Sequence, residues 1–183
     1  VLLSEMEKKN WNTYLDLGCG DGALLMAIQS RGLFKKKNVI AVDISQTRID
    51  RVKKKFQKIT SIVGNACSIP EIKNESIDFI ATSQVIEHVP NDEEMIKEMS
   101  RILKKDGTLY LSTVFKKWYG WYFYRCNKKW ALDPTHLREY THDDELLKML
   151  KSHGFRIITN KKTPIKRVLL SPVLKKLNVF REH

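Results

Sequence analysis

From residue 12 onward, short apolar runs alternate with amphipathic stretches. Asn12 to Leu17, Val39 to Asp43, Ile59 to Val63, Ile77 to Thr82 and Thr108 to Val114 read as strands. The stretch between the first two has helical spacing, with Leu24, Leu25 and Ile28 facing inward from about Gly22 to Ser30. A second helix opens at Ser45, a good N-cap, and carries Ile49, Val52 and Phe56 on one face. A third opens after Pro90, with Asn91 and Asp92 as cap candidates. It buries Met95, Ile96, Met99 and Leu103 and is expected to stop before Gly107. Strands alternating with helices in this way predict a doubly wound α/β domain, a mostly parallel sheet with helices on both faces. No repeat, low-complexity tract or linker interrupts it, so residues 1–183 read as one domain.

Phe115 to Tyr140 breaks the rhythm. The segment is aromatic and basic, without a clean period, and too long for an ordinary connection. Trp118, Tyr119, Trp121, Tyr122, Phe123, Tyr124 and Trp130 could form a substrate lid or pack a small subdomain. Thr141 is then expected to cap a helix carrying Leu146, Leu147 and Leu150 to Gly154, followed by a sixth strand from Phe155 to Thr159. Past Lys161 a strand, an amphipathic helix or both would fit. Val168, Leu169, Leu170, Val173, Leu174 and Leu177 alternate there with lysine and arginine, which would suit peripheral contact with an anionic membrane or packing on the domain itself.

The bulk properties narrow the class only modestly. No run reaches the roughly 18–20 apolar residues of a membrane span, and no secretory leader is visible, so a soluble, cytoplasmic protein is expected. Cys19, Cys67 and Cys126 are too widely spaced for a disulfide framework or a zinc site. The formal charge of +12 would suit an anionic partner such as nucleic acid, although lysine doublets and triplets on solvated helix ends account for most of it.

The chemistry-bearing residues fall where the strands end. In an open parallel sheet that is where ligands bind. Gly18, Gly20 and Gly22 allow a sharp turn and a close backbone approach. Asp16, closing the first strand, can accept from an ammonium, and Asp43, closing the second, can take both hydroxyls of a ribose. Asn65, Ala66 and Ser83 would line the base and the linker. A dinucleotide fold is the alternative, but its loop is spaced GxGxxG, whereas GCGDG is spaced GxGxG and has an acid on the first strand. That acid suits the amino-acid end of a zwitterion better than a pyrophosphate.

LDLGCGDG, AVDIS, GNACSIP, SIDFIATSQVIEHVPN and RILKKDGTLYLST resemble the successive motifs of class I S-adenosylmethionine-dependent methyltransferases of the small-molecule type. HLREYTHDDELLKMLKSHGF resembles the segment that follows their fifth strand. The likeness covers about Asn12 to Phe155. It implies a Rossmann-like, seven-stranded sheet with a reversed last strand, and S-adenosylmethionine as cofactor, leaving as S-adenosylhomocysteine. It also implies cofactor contacts at Asp16, Gly18, Cys19, Gly20, Asp43, Ile44, Asn65, Ala66 and Ser83. Two departures stand out: only about ten residues precede the first strand, and Asn65 stands where the family often has Asp.

Methyl transfer needs alignment above all, and a base only when the nucleophile keeps its proton. Glu87, His88, His136 and Tyr140 are the candidates for that work; the bland alternative is that Glu87 and His88 brace their loop. The fourth strand ends in TSQV rather than an NPPY-type sequence, which favours a small-molecule or lipid-like acceptor over amino groups of DNA or protein. An RNA methyltransferase and a non-catalytic cofactor-binding partner subunit are the alternatives. Gln84, Glu87, His88 and His136 also resemble the metal cluster of small-RNA 2′-O-methyltransferases, with Gln84 in place of a glutamate. With that carboxylate missing, no metal is expected.

Overall fold

The computed structural model describes residues 2–116, 124–126, 129–131, 133 and 135–162. The aromatic residues 118–123 and the tail from 163 lie outside these. Five parallel strands form the sheet: β1 (Thr13–Leu17), β2 (Asn38–Asp43), β3 (Thr60–Val63), β4 (Ile77–Ser83) and β5 (Leu103–Ser112), in the order β3-β2-β1-β4-β5. The helices are α1 (Leu2–Lys8), α2 (Ala23–Ser30), α3 (Gln46–Lys55), α4 (Asp92–Ile102) and α5 (Asp144–Ser152). The hairpin β6 (Tyr124–Cys126) and β7 (Lys129–Ala131) pairs antiparallel, apart from the sheet.

Side chains along each strand alternate between two cores, as the pleat requires. Tyr14, Val39, Ala41, Phe79 and Ala81 pack with α1, α2 and α3, while Leu15, Leu17, Val42 and Ile80 pack with α4 and α5. Burial on both faces explains why these strands read as continuous apolar runs. The order reverses between β1 and β4, so their carboxyl ends flank the crevice of a doubly wound sheet.

Local chemistry sets the helix boundaries. The Ser45 hydroxyl accepts from the Arg48 amide to start α3, and Asn91 accepts from the Glu93 and Glu94 amides to start α4. Three expectations change. First, α4 ends at Ile102, so Leu103 is buried as the first residue of β5 and Gly107 lies inside that strand. Residues 104–107 bulge out of register and fold back; a Cβ at Gly107 would sit 2.7 Å from the Leu103 side chain, which is why glycine is required there. Second, α5 begins after Asp143, not at a Thr141 cap, and the Asp143 side chain makes no cap bond because its carboxylate is occupied by Asn160 and Lys162 at 2.6 and 2.7 Å. Third, residues 155–159, expected as a strand, pair with no strand among the described residues, which hold five strands of this sheet. The short leader, unread in the sequence, is the helix α1, which buries Leu2 and Met6 beside Trp11.

One polar staple ties α4 to the loop before β4. Glu98 accepts from the Ile69 amide at 2.6 Å and is paired with Arg101 at 2.7 Å, and Arg101 donates to the carbonyls of Ile69 and Ile72. The Arg101 hydrogen bond holds the Glu98 carboxyl below its ordinary value. We expect Glu98→Ala to destabilise the fold by about 2 kcal/mol at neutral pH, because buried donors lose their partner. A depressed carboxyl contributes stability above its unfolded value, and that contribution is lost as pH falls through the folded value. Urea unfolding should therefore show the difference between wild type and variant narrowing as pH drops below about 4.

Candidate methyl-donor site

The loop after β1 is folded onto β2 by its own backbone. The Gly18 and Cys19 amides both donate to the Val42 carbonyl, at 2.8 and 2.9 Å. Gly18, Gly20 and Gly22 have φ of 75°, 55° and 81°, a left-handed run that side chains would strain. At Gly18 a Cβ would lie 2.3 Å from a Val85 methyl, so this turn is pressed against the loop that follows β4; at Gly20 the same position opens onto empty space. The glycines thus create both a tight turn and room for a ligand.

Asp43 anchors this arrangement. Its carboxylate accepts from the Gly20 amide and the Ser45 amide, each at 2.9 Å, with Arg48 3.8 Å away. Two lone-pair directions remain for ligand hydroxyls. Ile44, next along, is 75 % exposed and presents an apolar surface at the rim. Asp16 is its opposite: 2 % exposed, with one carboxylate oxygen lacking any partner. Burial, reinforced by the charge of Asp43, raises its pKa to about 7. Such a carboxylate favours a cationic ligand, because an ammonium would offset both effects. Burial also pushes the Cys19 thiol up to about 12, so it stays a neutral, small wall residue.

The remaining predicted residues divide into two groups. Asn65 is exposed, its side-chain oxygen accepting from the Cys67 amide at 3.0 Å, and Ala66 packs partly against the core. Ser83 shares a hydrogen bond with Ser112 at 2.8 Å, joining the ends of β4 and β5. Beyond β4, Glu87 is 1 % exposed and accepts from Thr113 at 2.9 Å through one oxygen; the other oxygen has no partner. Its backbone carbonyl accepts from the Leu137 and Arg138 amides, which docks the 135–138 segment against this loop. His136 is thereby brought to Glu87, with its Nδ1 buried and unpartnered, and its ring meets that of His88 edge-on at 4.8 Å.

Tyr140 does not join them. Its hydroxyl donates to Asp92 at 2.7 Å, and burial raises its pKa, so it reinforces the start of α4 rather than offering a base. Sequence reasoning missed Val85, Thr113, Thr135 and Arg138. Arg138 pairs with Asp92 at 3.1 Å and donates to the Pro90 carbonyl at 2.8 Å, holding the loop in place. Only Thr135 had a local signal: Asp133 accepts from both its amide and its hydroxyl, a turn pattern that D-x-T advertises.

A cleft of about 520 Å³ at the other end of the strands, beside Trp11 and Lys104, is a different feature. Asp78 there is committed to Lys104 and to the Asn12 and Thr13 amides.

The comparisons match this geometry. The model of a family described as "Methyltransferase domain" matches residues 15–111, more than half of the 183-residue chain. The chain belongs to this methyltransferase family. It is a class I member by its motifs and sheet, and S-adenosylmethionine is the donor such enzymes use. An uncharacterised methyltransferase of Schizosaccharomyces pombe is 37% identical over 110 residues, covering 60% of this chain and 42% of that protein. A ubiquinone biosynthesis O-methyltransferase of Coxiella burnetii is 27% identical over 152 residues, covering 79% of this chain and 63% of that protein. The chain therefore spans less than two thirds of each of these relatives. An S-adenosylmethionine-dependent methyltransferase of Aquifex aeolicus shares the fold, with a TM-score of 0.62, 20% identity, and coverage of 85% of this chain and 78% of that one.

The buried Asp16 makes the site testable before any ligand is added. Its folded pKa is above its unfolded value of 3.8, so its stability contribution is complete below that value and is lost as pH rises to about 7. Asp16→Asn removes the penalty. We expect the variant's advantage in chemical denaturation to grow from pH 4 to pH 7 and then level off, reaching up to about 4 kcal/mol. An advantage independent of pH would show that this carboxyl is ordinary.

Proposed function

We propose that this chain transfers a methyl group from S-adenosylmethionine to an oxygen of a small-molecule or lipid-like acceptor. The observation carrying this reading is the meeting of Glu87 and His136 beside the end of β4, a buried carboxylate and a half-buried imidazole, each with one buried polar atom that has no partner. The O-methyltransferase named among the relatives supports the choice of oxygen and of a lipid-like acceptor.

The residues present fit the donor. The unpartnered Asp16 oxygen would receive its ammonium, Asp43 its ribose hydroxyls, and the exposed face of Ile44 its flat base. The open space at Gly20 admits it without a Cβ in the way. When bound, S-adenosylmethionine supplies a methyl on a sulfonium and leaves as S-adenosylhomocysteine. The protein's share is to hold the acceptor in line with that methyl, since alignment alone is worth about 7–11 kcal/mol in favourable cases. Glu87 and His136 offer lone pairs for the acceptor's hydroxyl proton; such proton acceptance contributes typically 10²–10⁴-fold. Thr113 fixes the Glu87 carboxylate for that task.

Two measurements test the reading. Asp16→Asn should weaken S-adenosylmethionine binding by about 10- to 100-fold in calorimetry, the worth of a charge-assisted hydrogen bond of about 1.5–3 kcal/mol. Incubating the chain with cell extract and methyl-labelled donor should place label in a low-mass or organic-extractable product. Label in RNA instead would favour the nucleic-acid alternative suggested by the +12 charge. Donor binding without labelling of any pool would favour a partner subunit.

A further inference from the structure

We propose that Gln84 sets acceptor specificity, its side-chain amide bonding a polar group of the acceptor beside the hydroxyl that is methylated; the inference rests on the methyl-transfer reading. Gln84 has φ of 58°, in the left-handed region that glycine adopts freely and other residues adopt at a cost. Among the described residues only Lys36, at 58°, and Glu75, at 47°, share it without being glycine. Those two lie shortly before β2 and β4, so they turn the chain at the amino end of the sheet. Gln84 alone follows a strand. It stands directly after Ser83, the last residue of β4, at the crevice where the strand order reverses.

Both neighbours hold the chain in this conformation. The Gln84 amide donates to the Ser112 carbonyl at 3.0 Å, and the Ser83 and Ser112 hydroxyls share a hydrogen bond at 2.8 Å, which fixes the turn to the end of β5. On the other side Val85 is pressed against the glycine loop, where a Cβ at Gly18 would lie 2.3 Å from its methyl. Backbone strain that the surroundings enforce from both flanks, at a crevice, points to use of the strained residue by a ligand. The same site shows the unstrained alternative, because Gly18, Gly20 and Gly22 are its other left-handed residues. A glycine at 84 would make the same turn with nothing to strain. What glutamine adds is its side chain.

That side chain is exposed, and no described residue hydrogen-bonds it. Its neutral amide offers two N–H donors and a carbonyl oxygen. The serine hydroxyls beside it are engaged with each other, and the bare atoms of Glu87 and His136 are suited to take up a proton. A carboxamide does not compete for that proton, so its part is to orient. The acceptor it fits carries a second oxygen or an amide next to the reacting hydroxyl. A molecule without that group would cover the amide on binding and leave it unbonded, which is how a hydrogen-bonding site rejects an analogue.

Methyl transfer and stability, measured together, test this. With methyl-labelled S-adenosylmethionine and the low-mass fraction of cell extract, Gln84→Ala and Gln84→Gly should each form the wild-type product about 3- to 10-fold more slowly, the worth of one neutral hydrogen bond. Calorimetry with S-adenosylhomocysteine should give both variants the wild-type affinity. Gln84→Gly should meanwhile raise Tm by about 2–4 °C, because the turn is no longer strained, whereas Gln84→Ala keeps the strain and the wild-type Tm. A merely structural residue gives no such split between gained stability and lost transfer. Lys36→Gly, which relieves the same strain at the opposite end of the sheet, should raise Tm and leave labelling unchanged. Undiminished labelling by Gln84→Ala, a loss of S-adenosylhomocysteine affinity that accounts for slower labelling, or no rise in Tm for Gln84→Gly overturns the proposal. The two readings fail differently. Wild-type protein that binds S-adenosylhomocysteine yet labels nothing removes methyl transfer and the contact with it, while equal labelling by wild type and Gln84→Ala removes the contact alone.

Discussion

Two carboxylates buried side by side at the ends of β1 and β2 set the terms for the rest of the molecule. Asp43 is compensated by backbone amides from the glycine loop and the start of α3, so it draws those two segments together. Asp16 has no such compensation and feels the neighbouring charge as well. The parallel register between β1 and β2, pairing Asp16 with Ala41 and Leu17 with Val42, places these acids at one end of the sheet. A cationic, hydroxyl-bearing ligand is the natural counterpart of that pair. A pyrophosphate would add further negative charge to it.

Most of the sheet was legible because burial on both faces leaves an unbroken apolar run, and because helix caps such as Ser45 and Asn91 are local signals. The five strands and the three helices between them come out nearly as the pattern predicts. Errors arose where tertiary packing overrode local preference. Gly107 reads as a helix stop, yet it is needed where a strand bulge folds against Leu103. Thr141 reads as a cap, but the chain prefers Asp143, whose side chain is drawn off by Asn160 and Lys162. The leader before β1 was passed over because a seven-residue helix carries too few turns for a period to show.

The site was legible in the same uneven way. The region around the glycine loop is built from residues close to strand ends, so Asp16, the glycines, Asp43 and Ile44 could be placed from strand boundaries alone. The region around Glu87 and His136 depends on a contact between residues 87 and 137, held by backbone bonds that no local pattern reports. His136 was suspected from its neighbours; its meeting with Glu87 could come only from the fold. Tyr140 looked equally promising and was claimed instead by Asp92.

Polar satisfaction separates these two outcomes. Among the described residues, the buried side-chain atoms without partners include one oxygen of Asp16, one of Glu87 and a nitrogen of His136. All three belong to segments at the carboxyl end of the sheet. Tyr140 and Glu98, equally buried or nearly so, are fully engaged and stabilise helix ends. The hydroxyls of Tyr14, Ser61 and Thr82 are bare as well, so it is the gathering of two carboxylates and an imidazole at one end of the sheet, not bareness alone, that points to a ligand site. The two bare regions are also chemically unlike. Asp16 sits in a site of net negative charge suited to a cation with hydroxyls, while Glu87 and His136 combine a carboxylate with an imidazole able to share a proton. The proposed methyl transfer to oxygen needs both, a place for a positively charged donor and a place where the acceptor's proton can be given up.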